Sequence, residues 1–155
     1  MSQPTAPLKA RLENDLRQAM KARQELLTST LRMALTAVRN AEVSGKQARE
    51  LSDQEVLAVL TKEAKKRREA AEAFAAAGRD ELASKEREEE LALAAYLPKQ
   101  LSDSELVELV RTTLAENDLS GMQQMGAAMK AVQAKAAGRA DGRKLSEEVR
   151  RQLTA

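Results

Sequence analysis

The chain has 155 residues, of which 43% are hydrophobic, 32% are charged and only Phe74 and Tyr96 are aromatic. It has no cysteine and no histidine, which removes disulfides, thiolate and imidazole metal ligands, and the usual proton carrier near neutral pH. The net charge is +2, too small to fix the nature of a partner by itself.

Ala, Leu, Glu, Lys, Arg and Gln dominate, all strong helix formers, while β-branched and aromatic runs are missing. An all-α fold is expected, with a core of Leu, Val, Met and Ala. Leu8, Leu12, Leu16, Ala19 and Met20 fall on one face of a first helix, and Leu27, Leu31, Ala34, Leu35, Val38 and Ala41 on one face of a second. Ser44-Gly45-Lys46-Gln47 reads as a loop. Ser52 and Glu55 form a capping box that opens a third helix, which runs to about Ala77 and ends at Gly78. A fourth helix spans about 80–96, stopped by Pro98.

Ser102 and Glu105 make a second capping box, opening a helix with Leu106, Leu109, Val110 and Leu114 on one face. Residues 117–121 form a turn. Met122, Met125, Met129, Val132 and Ala136 line a sixth helix, with the methionines read as core filler. Residues 138–142 break that helix, and Asp141 caps a last one carrying Leu145, Val149 and Leu153. The expected architecture is an N-terminal four-helix region over 1–97 and a small C-terminal three-helix bundle over 98–155.

At 100° per residue, Arg67 falls inside the apolar stripe of Leu60, Ala64, Ala71 and Phe74 on the third helix. On the fourth, Glu86 and Glu89 share a stripe with Leu82, Leu93 and Leu97. A hairpin about Gly78 sets Arg67 against Glu89 and near Glu86, a candidate structural ion pair. The neighbouring Lys65, Lys66 and Arg68 point outward, toward i,i+4 pairing with Glu69 and Glu72 on a wet face.

No nucleophile elbow, phosphate-binding loop, dinucleotide fingerprint or Ser-x-x-Lys occurs, so no catalytic residue is assigned. Glu86 and Glu88–Glu90 lack the histidines of a helical di-metal site, and neither metal nor cofactor is expected. No apolar run approaches the roughly 18 residues of a membrane helix. Residues 1–7 lack the charged start and apolar run of a secretory signal, so a cytoplasmic location is expected.

Charge is uneven: residues 121–155 hold seven Lys/Arg against three Asp/Glu. Around the turn at 138–144, Arg139, Arg143 and Lys144 flank the start of the last helix, with Lys130 and Lys135 on the helix before. Backbone N–H groups at a helix start and added cations make a candidate seat for a nucleic-acid phosphate. The competing reading is a capped inter-helix turn with solubilising charges.

Residues 74–82, then Tyr96-Leu97-Pro98 with Gln100-Leu101-Ser102, and residues 125–142 resemble the GatB/YqeY family, as does the segment with Leu31-Arg32-Met33. The resemblance covers nearly the whole chain. One departure is Gln133-Ala134, where the family often has Met-Pro, so the sixth helix should run straighter. The resemblance implies a free-standing relative of the tail of the B subunit of the glutamine-dependent tRNA amidotransferase. Members often inherit the label of a carbon–nitrogen ligase with glutamine as amido donor, although the glutaminase and kinase chemistry lie in other domains. It therefore implies a tRNA-binding or accessory role, with tRNA or a tRNA-modifying or tRNA-charging enzyme as partner. A helical protein–protein module is the alternative.

Overall fold

The computed structural model describes residues 7–155, so the reading of the N-terminal segment falls, up to residue 6, outside the described residues. These are all-helical: α1 (Leu8–Lys21), α2 (Glu25–Val43), α3 (Asp53–Ala76), α4 (Asp80–Ala94), α5 (Asp103–Glu116), α6 (Met125–Ala136) and α7 (Gly142–Leu153), with a short 3-10 turn at Met122–Gln124 before α6. They fall into two compact units, one ending at Leu97 and the other beginning at Pro98.

In the first unit α1 and α2 form a hairpin that packs on the α3–α4 hairpin. Its core joins Leu8, Leu12 and Ala19 of α1, Leu31, Ala34, Leu35 and Val38 of α2, Val56, Leu60 and Ala64 of α3, and Leu93 of α4. Polar contacts tie the helix ends. Asp53 Oδ1 accepts from Leu8 N at 3.0 Å, and Lys9 Nζ donates to Glu42 Oε1 at 2.9 Å. Ser52 caps α3 through both arms of its box with Glu55. Tyr96 donates to Asp15, with the Arg11 guanidinium 5.7 Å from its ring centre.

Two positions differ from the helical-wheel expectation. Met20 is 48% exposed, because the buried line of α1 runs through Leu12 and Ala19 and leaves residue 20 on the flank. Near the start of α4 the buried residue is Ala83, while Leu82 is 39% exposed. Ala71 of α3 is buried too, so each helix of this hairpin buries an alanine on the side toward the turn.

In the second unit α5, α6 and α7 pack pairwise around Leu106, Val110, Leu114, Ala128, Val132, Ala136, Leu145, Val149 and Leu153. Here the methionine stripe shifts. Met122 lies in the 3-10 turn and is exposed, Met125 and Met129 are half-buried at the edge, and Ala128 takes the central place. The turn ahead of α6 delays the helix start to Met125 and changes its phase relative to the run of methionines. Helix α6 is continuous over Met125–Ala136, as the absence of proline at 134 permits. Thr113 is buried on α5 and satisfies its hydroxyl on Leu109 O at 2.7 Å.

Candidate nucleic-acid interface

The turn between α6 and α7 is built from its backbone outward. Ala137 and Gly138 have φ of 48° and 80°, the left-handed region that ends helices. A Cβ on Gly138 would meet nothing within 4 Å, so conformation and not space selects glycine there. Arg139 N donates to Ala136 O at 2.9 Å, and Arg139 O accepts from Leu101 N at 2.7 Å. Gln100 Nε2 reaches Gly138 O at 3.2 Å. Asp141 caps α7, its Oδ1 accepting from Arg143 N at 3.2 Å.

The five candidate cations have different surroundings. Lys130 is exposed on α6. Lys135 lies 3.8 Å from Glu116 on α5. Arg139 is half-buried and turned onto its own helix, with Nε on Ala136 O and Nη2 on Lys135 O, both at 3.0 Å. It satisfies terminal carbonyls and opposes the negative end of the α6 dipole. Arg143 pairs with Glu147 at 3.2 Å, and Lys144 with Asp103 of α5 at 3.5 Å. The structure therefore gathers Arg139, Arg143 and Lys144 about one turn and gives the last two carboxylate neighbours.

In the first unit Arg67 and Glu89 are both buried, at 7% and 5% exposure. Arg67 Nε lies 3.2 Å from Glu89 Oε2, Nη1 lies 3.3 Å from Glu63 Oε2, and Nη2 lies 3.8 Å from Met33 Sδ of α2. The Nε contact is off the N–H direction, leaving that atom without a hydrogen bond. Burial, and secondarily the Glu86 charge, push the Glu89 carboxyl above the usual carboxylate range, against the pull of Arg67. Of the outward basic residues, Arg68 reaches across to Glu90 at 3.6 Å, and Lys66 turns back to Glu63 at 3.4 Å. Among the described residues no group of three or more acidic side chains is placed to hold a metal ion, and no helix is long and apolar enough to cross a membrane.

Sequence reasoning missed a groove of about 490 Å³ on the second unit, lined by Leu101, Leu109 and Thr112 and rimmed by Glu105, Glu108 and Glu116, with Lys135 beside the last. Leu109 read as core, but α5 buries the line of Leu106, Val110, Thr113 and Leu114 and leaves Leu109 at its edge.

The family model for Yqey-like proteins matches residues 9–153. The chain belongs to the YqeY family. The resemblance read from residues 74–82, 96–102 and 125–142 is thus borne out, and the match extends over both helical units of this YqeY-family protein. An uncharacterized protein of Schizosaccharomyces pombe is 38% identical over 96 residues, covering 62% of this chain and 76% of that relative.

Proposed function

We propose that this YqeY-family protein is a non-catalytic tRNA-binding protein or an accessory of a tRNA-modifying or tRNA-charging enzyme, with tRNA binding the reading the site supports best. Lys130, Lys135, Arg139, Arg143 and Lys144 would lie along backbone phosphates. The observation that carries the reading is how loosely three of these cations are held. The side chains of Lys135, Arg143 and Lys144 are 60%, 81% and 63% exposed, and their carboxylate partners lie at 3.2 to 3.8 Å. Exposed pairs of this kind contribute only about 0–1 kcal/mol, so a phosphate displaces the carboxylate at small cost. Contacts to phosphates position an RNA and do not read its bases. The second unit has no aromatic side chain, which disfavours base stacking.

The test is titration of fluorescent tRNA between about 50 and 200 mM salt. Affinity falls steeply over that range, and the double variant Arg143→Glu, Lys144→Glu flattens the dependence. Absence of binding at the lower salt overturns the reading.

The groove on the second unit favours a second reading, a protein-binding module without an RNA role. Its apolar floor at Leu101 and Leu109 and its glutamate rim suit a basic helix of a partner. Recovery of one stoichiometric protein that survives nuclease treatment and is lost in Leu109→Glu selects this alternative.

A further inference from the structure

A cluster of unneutralised positive charge lies in the first unit, at the corner joining α1 to α2. Between residues 17 and 32 the chain has Arg17, Lys21, Arg23 and Arg32 against the single acid Glu25. All four cations are exposed. Among the described residues the side chains of Arg17, Lys21 and Arg23 have no ion pair, hydrogen bond or ring contact. This differs from Lys135, Arg143 and Lys144, each of which has a carboxylate neighbour.

One of the four reaches a shared neighbour: Arg32 Nη2 lies 3.8 Å from Met20 Sδ, with Arg17 about one helical turn before Met20 on α1 and Lys21 at the end of that helix. Arg23 is held at the apex of the turn by its backbone. Its φ is 56°, its N donates to Met20 O at 3.2 Å, and Gln24 N donates to Ala19 O at 3.0 Å. Glycine favours this closing position of a helix, yet arginine occupies it.

We infer that this corner is a second phosphate-binding surface, one that grips the backbone of a structured RNA. The inference rests on the RNA-binding reading for the nature of the ligand, but on separate residues and a separate unit. Three features select RNA over other polyanions. The cations are spaced around a protruding turn, with Arg17 and Lys21 about 6 Å apart along the axis, so each can meet a different phosphate. The apolar face of α1 lies in the core through Leu8, Leu12 and Ala19, so the helix has no free face to insert into a membrane interface. The only exposed large apolar side chain of α1 is Met20, too little for the apolar centre of a protein interface.

The experiment uses the full chain and tRNA as the probe, titrated over a salt series, with poly-glutamate and phosphatidylserine vesicles as competing polyanions. Two sets of variants are compared: Lys21→Gln with Arg23→Gly at the corner, and Arg143→Glu with Lys144→Glu in the second unit. Each lost phosphate contact lowers the slope of log affinity against log salt by about 0.7 to 0.9. The corner variant is expected to lose about 1.5 units of slope and to bind tRNA roughly tenfold more weakly near 100 mM salt. Arg23→Gly suits the backbone of the turn, so an unchanged or raised melting temperature separates lost binding from lost folding. An unchanged slope in the corner variant overturns the inference, and if the second-unit variant then binds weakly the RNA reading stands without it. Weakening by the corner variant alone supports the corner and removes the second-unit contacts. No binding of tRNA by the unmodified chain overturns both. Tighter binding to poly-glutamate or to vesicles than to tRNA overturns the choice of RNA.

Discussion

Arg67 illustrates how a single charged residue in an apolar stripe can define a helix pair. Its guanidinium is enclosed by Glu63 on its own helix, Glu89 on α4 and Met33 on α2. Removing it leaves two poorly solvated carboxylates without a counter-charge. Arg67→Ala is expected to destabilise the protein by about 3–5 kcal/mol, whereas Lys66→Ala, with its side chain 68% exposed, should stay within about 0.5 kcal/mol. Urea unfolding of the two variants measures the difference, and equal midpoints would contradict a structural role for Arg67. Glu89 supplies the complementary test. Its carboxyl is raised in the folded protein by burial first and by Glu86 second, so the fold favours the protonated form. Its contribution is fully present below the unfolded pKa and is lost as pH rises through the folded value. Glu89→Gln should therefore raise the melting temperature at neutral pH, and the advantage should shrink as pH falls toward the ordinary carboxylate range. An advantage that grows on acidification would refute this account.

The helix ends follow from local chemistry, and they were the most legible part of the sequence. Ser52 with Glu55 and Ser102 with Glu105 form full capping boxes, because a short hydroxyl three residues before a glutamate satisfies orphan N–H groups with no help from tertiary structure. Ser52→Ala should cost about 1 kcal/mol, read from chemical denaturation. What the sequence concealed is the phase at which each helix meets its neighbours. Ala83 is buried where Leu82 was expected, and Ala128 takes the central place of the methionines once the turn at Met122–Gln124 has reset the phase of α6. The candidate site was less legible again. The spacing of Arg139 places it beside the turn, but nothing in it reveals that the guanidinium folds back onto two carbonyls of α6. The turns give one further contrast. Gly78 closes α3 at φ 76° with open space where a Cβ would sit, and Arg23 closes α1 at φ 56°. Gly78→Ala should cost about 1 kcal/mol, and Arg23→Gly should gain somewhat less because glycine has more freedom to lose on folding. Opposite shifts in melting temperature are the expected outcome.

The described chain has two separate cores. Leu97 packs on the first and Leu101 on the second, leaving three residues to connect them. The second core contains nine buried hydrophobic side chains, two of them, Ala128 and Ala136 of α6, only alanine, and small domains of this size are marginal. Calorimetry should therefore resolve two transitions, the lower one belonging to residues 98–155. Addition of tRNA should raise the transition of whichever unit binds it, and a single transition unaffected by tRNA would count against both independent units and RNA binding.

Tyr96 is the sole tyrosine, the chain has no tryptophan, and its hydroxyl is bonded to Asp15. Tyrosine emission from this protein therefore arises in one place, beside the middle of α1, and a carboxylate acceptor beside the phenol dims it until the contact opens. Fluorescence thus follows the melting of the first core alone, while far-ultraviolet dichroism follows every helix, and the gap between the two curves isolates the behaviour of the silent C-terminal bundle without a label.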